Sequence, residues 1–140
     1  MISKFFLMTL MSAIIALSAI PATVQAQTPF RVTVSVDTNG VGSWTVGGVN
    51  NGVFAAAKLQ TLLSTGGVGS TDTVSYVVGT STNTAGSLVL AAGAKALSLT
   101  NTPWLFTGDK VNIATGVPTD TNGVATVTKA RNIYLIGLEQ

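Results

Sequence analysis

The stretch Phe30 to Val46, FRVTVSVDTNGVGSWTV, constrains the fold more than any other part of the chain. Phe30, Val32, Val34 and Val36 alternate with Arg31, Thr33, Ser35 and Asp37. A strict two-residue period with β-branched residues on one side is the pattern of a strand with one buried and one wet face. The run enters Asp37-Thr38-Asn39-Gly40 and then a second strand-like stretch from Val41 to Val46. Asn tolerates the turn and Gly40 takes a positive φ without a Cβ clash, so the spacing predicts a β-hairpin. The same four residues return at Asp120-Thr121-Asn122-Gly123, again followed by Val, as if a second related hairpin were present.

The N-terminus has to be set apart before the fold is read further. Lys4 supplies a short positive region, Phe5 to Ile20 an apolar run, and Val24-Gln25-Ala26 a small-residue cleavage site. Together these predict a secretory signal over residues 1–26, leaving a single β-rich domain over 27–140. The apolar run is shorter than the roughly 20 residues a bilayer core demands, so no membrane span is expected after cleavage. The chain contains no Cys, hence neither a lipid-anchor site nor a disulfide staple.

Beyond the first turn, Gly47 to Gly52 is a turn-forming cluster, and then the period changes. VFAAAKLQTLLS, residues 53–64, sets Ala55, Leu59, Leu62 and Leu63 at helical spacing. Its Ala, Leu, Lys and Gln favour a helix, with Asn51 as N-cap and Gly66 as terminator. Further strands are expected at Thr73–Gly79, at Lys110–Ala114 and at Val124–Lys129, and Ser87–Ala92 and Ala96–Thr100 on either side of Gly93 make either two short strands or one strand broken by a bulge. Thr80–Gly86 reads as a polar, turn-rich connection. Asn132 to Leu138, NIYLIGL, is apolar on both sides, so it belongs at the centre of a sheet or at an interface. Seven to nine short strands with regular turn signals predict a mostly β fold, an antiparallel β-sandwich or barrel with one inserted α-helix over 53–64.

The chemistry is defined by what is missing. Without His or Cys the commonest general base, thiolate and metal ligands are absent. The acids are Asp37, Asp72, Asp109, Asp120 and Glu139, and the first four read as turn residues whose carboxylates cap backbone N–H groups. Asp37 and Asp120, each with Asn two residues on, match only half of a Ca²⁺ loop, which needs five to seven oxygens including a bidentate Glu. Neither G-x-S-x-G, S-x-x-K nor a phosphate-binding G-x-x-x-x-G-K-[ST] occurs. The chain therefore reads as non-enzymatic, with no metal and no cofactor. Once Lys4 is removed, six scattered basic side chains face five acidic ones, which excludes a polybasic nucleic-acid footprint.

Trp44 alternates with Val46 and reads as core, whereas Trp104 and Phe106, following Pro103 in a loop, are candidates for a binding platform. Both ends of the domain are extended and apolar. Phe30, Val32, Val34 and Val36 at one end, and Ile133, Tyr134, Leu135, Ile136 and Leu138 at the other, are the candidate assembly strands. A terminal strand can pair with a neighbour's open sheet edge, and head-to-tail contacts of this kind propagate. In composition the chain is broadly similar to pilin-like and other surface-fibre subunits, though it carries no family motif. The expectation is a secreted structural subunit that self-assembles into an extracellular filament or matrix fibre by terminal-strand exchange, with other copies of itself as partner. The rival expectation is a monomeric exported binding module, carbohydrate-binding or adhesive, built around Trp104.

Overall fold

The computed structural model describes residues 26–47, 56–91 and 95–140. Residues 1–25 of the expected signal segment, Asn51 and Gly93 lie outside the described residues. Within them run nine strands: β1 (Thr28–Val36), β2 (Val41–Thr45), β3 (Ala56–Ser64), β4 (Thr71–Val78), β5 (Ser81–Val89), β6 (Ala96–Ser98), β7 (Leu105–Phe106), β8 (Lys110–Gly116) and β9 (Arg131–Glu139). One sheet has the order β1-β9-β3-β6, with β7 also pairing with β3; the other has the order β2-β8-β4-β5. Every pairing is antiparallel. The chain passes repeatedly from one sheet to the other, giving a two-sheet sandwich of the jelly-roll kind.

The alternation in β1 does what its period implies. Phe30, Val32, Val34 and Val36 are buried between the sheets while Arg31, Thr33 and Ser35 are exposed. Facing them across the sandwich are Trp44 from β2 and Val111 and Ile113 from β8, and beside them in their own sheet are Ile133 and Leu135 from β9, all in the same apolar cluster. The Phe30 and Trp44 rings meet at 5.8 Å between centroids, tying the edge strands of opposite sheets together. Burying a side chain such as Leu or Phe contributes about 1.5–3 kcal/mol each, so this inner layer is the main source of cohesion.

Several expectations are corrected. β1 and β2 are not a hairpin: the tight turn at Asp37–Gly40 carries the chain from one sheet into the other. The helix expected over 53–64 is absent, and its described part is strand β3. The reason is a β-bulge between Leu59 and Thr61 in the pairing with β9. Inward positions run 57, 59 and then 62, 64, so one extra residue turns a period of two into a step of three that imitates a helix. Pairing on both sides of β3 then outweighs its local helix propensity. Thr80–Gly86 is not a loop; most of it forms β5, an edge strand whose Thr and Asn side chains face solvent. The apolar stretches flanking Gly93 belong to different sheets, through β5 and β6. Val124–Lys129 forms no strand; there the structure has a single bridge, between Thr119 and Ala125.

Candidate functional site

β1 and β9 lie side by side, paired from Thr28 opposite Glu139 to Val36 opposite Arg131. The two sets of candidate assembly residues are thus brought together, but in unequal positions. Among the described residues β1 is the edge of its sheet and pairs with β9 alone, while β9 is held between β1 and β3. Ile133 and Leu135 are buried in the core, whereas Tyr134, Ile136 and Leu138 are half-buried on the outer face. On that face the Arg31 guanidinium sits 4.0 Å from the Tyr134 ring centroid, and Ser35 Oγ donates to Asn132 Oδ1 at 3.3 Å.

The proposed aromatic platform is on the far side of β3. Leu105 is buried opposite Ala57, which leaves Trp104 half-buried and Phe106 60% exposed. Phe106 is held by its amide, which donates to Asp109 Oδ2 at 2.8 Å. Trp44, by contrast, is fully inside the core.

The two Asp-Thr-Asn-Gly turns have the same construction. Asp37 Oδ1 accepts the amides of Asn39 at 2.9 Å and Val41 at 3.0 Å; Asp120 Oδ1 accepts those of Asn122 at 2.8 Å and Val124 at 2.9 Å. Gly40 and Gly123 take φ of 85° and 77°. The amide bonds favour the ionised Asp37 carboxylate, that from Val41 most, and hold it below the usual aspartate range. Both carboxylates serve their own backbone, and among the described residues no three acidic side chains converge as a metal site would require.

Asp72 departs from the expected turn role. It is fully buried, with Thr115 Oγ1 donating at 2.6 Å, Ser64 Oγ donating to its other oxygen, and Arg131 Nη1 at 3.5 Å. Arg131 also donates to Ser70 Oγ at 2.7 Å and, through Nη2, to the Thr128 carbonyl at 2.6 Å. Gly66, expected as a helix stop, leaves room for this guanidinium; a Cβ there would collide with it. The cluster clasps β3 and β9 of one sheet to β4 and β8 of the other. Nothing local announces it, because its members are spread from Ser64 to Arg131.

An open depression of about 420 Å³ lies beside the first turn, lined by Thr38 and by Ala125, Thr126, Val127, Thr128 and Lys129. The alternating valines and threonines of 124–129 were its one trace in the sequence, and they were readable only as a strand.

No family model matches the chain. No curated protein matches it either. Among solved structures, the Drosophila NLP-core, whose crystal structure concerns pentamer formation and histone binding, is similar at 11% identity and a TM-score of 0.47. That likeness covers 81% of this chain and 96% of the other, and at this degree it carries nothing about partners or assembly. The described residues include no helix long and apolar enough to cross a membrane.

Proposed function

We propose that this chain is a secreted structural subunit that self-assembles into an extracellular filament or matrix fibre by lending strand β1 to the next copy. The observation that carries the reading is the inequality of the two terminal strands. Withdrawing β9 would split its sheet in two, whereas withdrawing β1 removes one edge and opens a slot lined by core side chains. A neighbour's β1 can refill that slot with the same four apolar residues and the same ladder. Each copy then accepts one strand and donates another, a head-to-tail contact that does not close. Few charges of either sign on the chain leave little electrostatic opposition to close packing of copies.

The test is a reversible lock. Ser35 and Asn132 are cross-strand neighbours with touching side chains, and the chain has no native Cys. In Ser35→Cys/Asn132→Cys, oxidation should hold β1 on its own β9 and abolish fibres seen by electron microscopy, leaving a monomer on size exclusion. Reduction should restore fibres. Fibres that form equally well from the oxidised protein would rule out β1 exchange.

A second reading, a monomeric binding module, draws on the exposure of Phe106 beside Trp104. It requires Phe106→Ala and Trp104→Ala to abolish carbohydrate retention by a protein that stays monomeric throughout.

A further inference from the structure

We infer that the segment Ala125–Ala130 continues the acceptor edge of β9, and that its occupant is the straightened Asp37–Val41 stretch of a second copy. This rests on the exchange of β1 proposed above and adds where the hinge goes once it opens.

The register comes first. β1 and β9 run antiparallel with Val36 opposite Arg131. A strand that continued straight past Val36 would set Thr38 against Lys129, Gly40 against Val127 and Val41 against Thr126. In the folded monomer it does not continue, because the Asp37–Gly40 turn diverts the chain into β2. A β1 supplied by another copy has its β2 in that copy's body, so its hinge is free to run on.

The acceptor also has donors to spare. Asn132 directs its amide and its carbonyl to Thr65, on the β3 side of β9. Backbone polar groups alternate along a strand. Those of Arg131 therefore face β1; the chain bends at Thr126, Val127 and Lys129, so straightening of this segment on binding is what would bring the amides of Lys129 and Val127 into line with the extension. Among the described residues neither of these amides donates a hydrogen bond. The carbonyls of Thr128 and Lys129 already hold Arg131, so the added pairing is carried mainly by N–H groups of this segment.

Space is available as well. The open depression beside Thr38 is bounded by Ala125 to Lys129, the flank along which an added strand would lie. Over 126–129 burial alternates, with Val127 and Lys129 half-buried and Thr126 and Thr128 exposed, while Ala125 is exposed and Ala130 half-buried. Within its own chain the stretch Val124–Lys129 pairs only at its start, through the Thr119–Ala125 bridge and the Thr126 amide on the Pro118 carbonyl, which leaves Val127 and Lys129 for a neighbour. Exchange of β1 alone trades like contacts for like; pairs made only in the exchanged state give it a preference.

The experiment is residue-level hydrogen exchange on the protein expressed with its own leader and purified from the producing cells, as monomer and as fibre. The amides of Val127 and Lys129 should exchange roughly tenfold or more slowly in the fibre than in the oxidised Ser35→Cys/Asn132→Cys monomer. Val127→Pro, which removes a donor the monomer does not use, should raise the concentration needed for fibre growth more than Thr128→Pro does. Fibres that depend on β1 but leave Val127 and Lys129 unprotected overturn this inference and leave strand exchange standing. Absence of fibres, or fibres indifferent to the lock, overturns both.

Discussion

Asp37 and Asp72 stand in similar Thr-rich stretches of sequence, yet the molecule uses them in opposite ways. Asp37 is exposed and closes a turn by accepting amides two and four residues on, an arrangement that Asp120 repeats bond for bond. Asp72 is buried and accepts from other strands, two hydroxyls 8 and 43 positions away and a guanidinium 59 away. The difference separates two kinds of information. A turn is specified by four consecutive residues and forms wherever they occur; a clasp exists only after the sheets have met. The first kind says how the chain bends, the second which surfaces are fastened together.

The largest effect should come from breaking the clasp. Removing one partner of a buried ion pair leaves an uncompensated charge and typically costs about 3–5 kcal/mol. Asp72→Ala and Arg131→Ala should each lower the urea midpoint by a corresponding amount. The double variant should cost much less than the sum, because the second change removes the charge the first stranded. Additive losses would mean that the two side chains stabilise the fold through separate contacts.

The same division accounts for what could be read before the fold was seen. The inner residues of β1, the burial of Trp44 and the doubly apolar character of β9 follow from alternation, which is local, and all were legible. The turn at Asp37–Gly40 was legible as a turn, but not the sheets it joins, since hairpin and sheet-crossing bend use the same residues. β3 was misread because its bulge inserts one residue between Leu59 and Thr61, and nothing in VFAAAKLQTLLS marks a bulge. β5 was hidden by composition: a solvent-facing edge strand built from Ser, Thr and Asn lacks the apolar rhythm that announces a strand. The depression shared by Thr38 and Ala125–Lys129 joins residues about ninety positions apart, beyond the reach of any periodicity.

A smaller effect separates the two turns themselves. Gly40 and Gly123 both sit at positive φ, where an L-residue costs roughly 1–2 kcal/mol. Around Gly123 there is nothing within 4 Å of an added Cβ, whereas at Gly40 it would lie 2.7 Å from the Thr115 carbonyl oxygen. That carbonyl is not free to retreat, because the Thr115 amide is bonded to the Gly40 carbonyl at 2.8 Å. Gly123→Ala should therefore show only the conformational cost, and Gly40→Ala about twice as much or more in denaturant unfolding. Equal losses at the two sites would show that the first turn is not packed against β8 as described.

The smallest effect is the pH response of the first turn, and its sign is fixed. The amide bonds to Asp37, that of Val41 first, hold its folded-state pKa below the ordinary aspartate value of about 3.9. In the unfolded chain the carboxylate returns to that value, so the stabilisation is fully present above it. It is lost as pH falls through the depressed folded value, because protonation removes the charge that the two amides favour. Asp37→Asn keeps a side-chain oxygen to accept the amides but has no proton to gain. Melting temperatures of the two proteins should therefore differ most near neutrality and converge on the acid side of pH 4. A gap that stays constant between pH 7 and pH 3 would mean that the carboxylate's charge contributes nothing to the turn, and that its shape alone holds the bend between the two sheets.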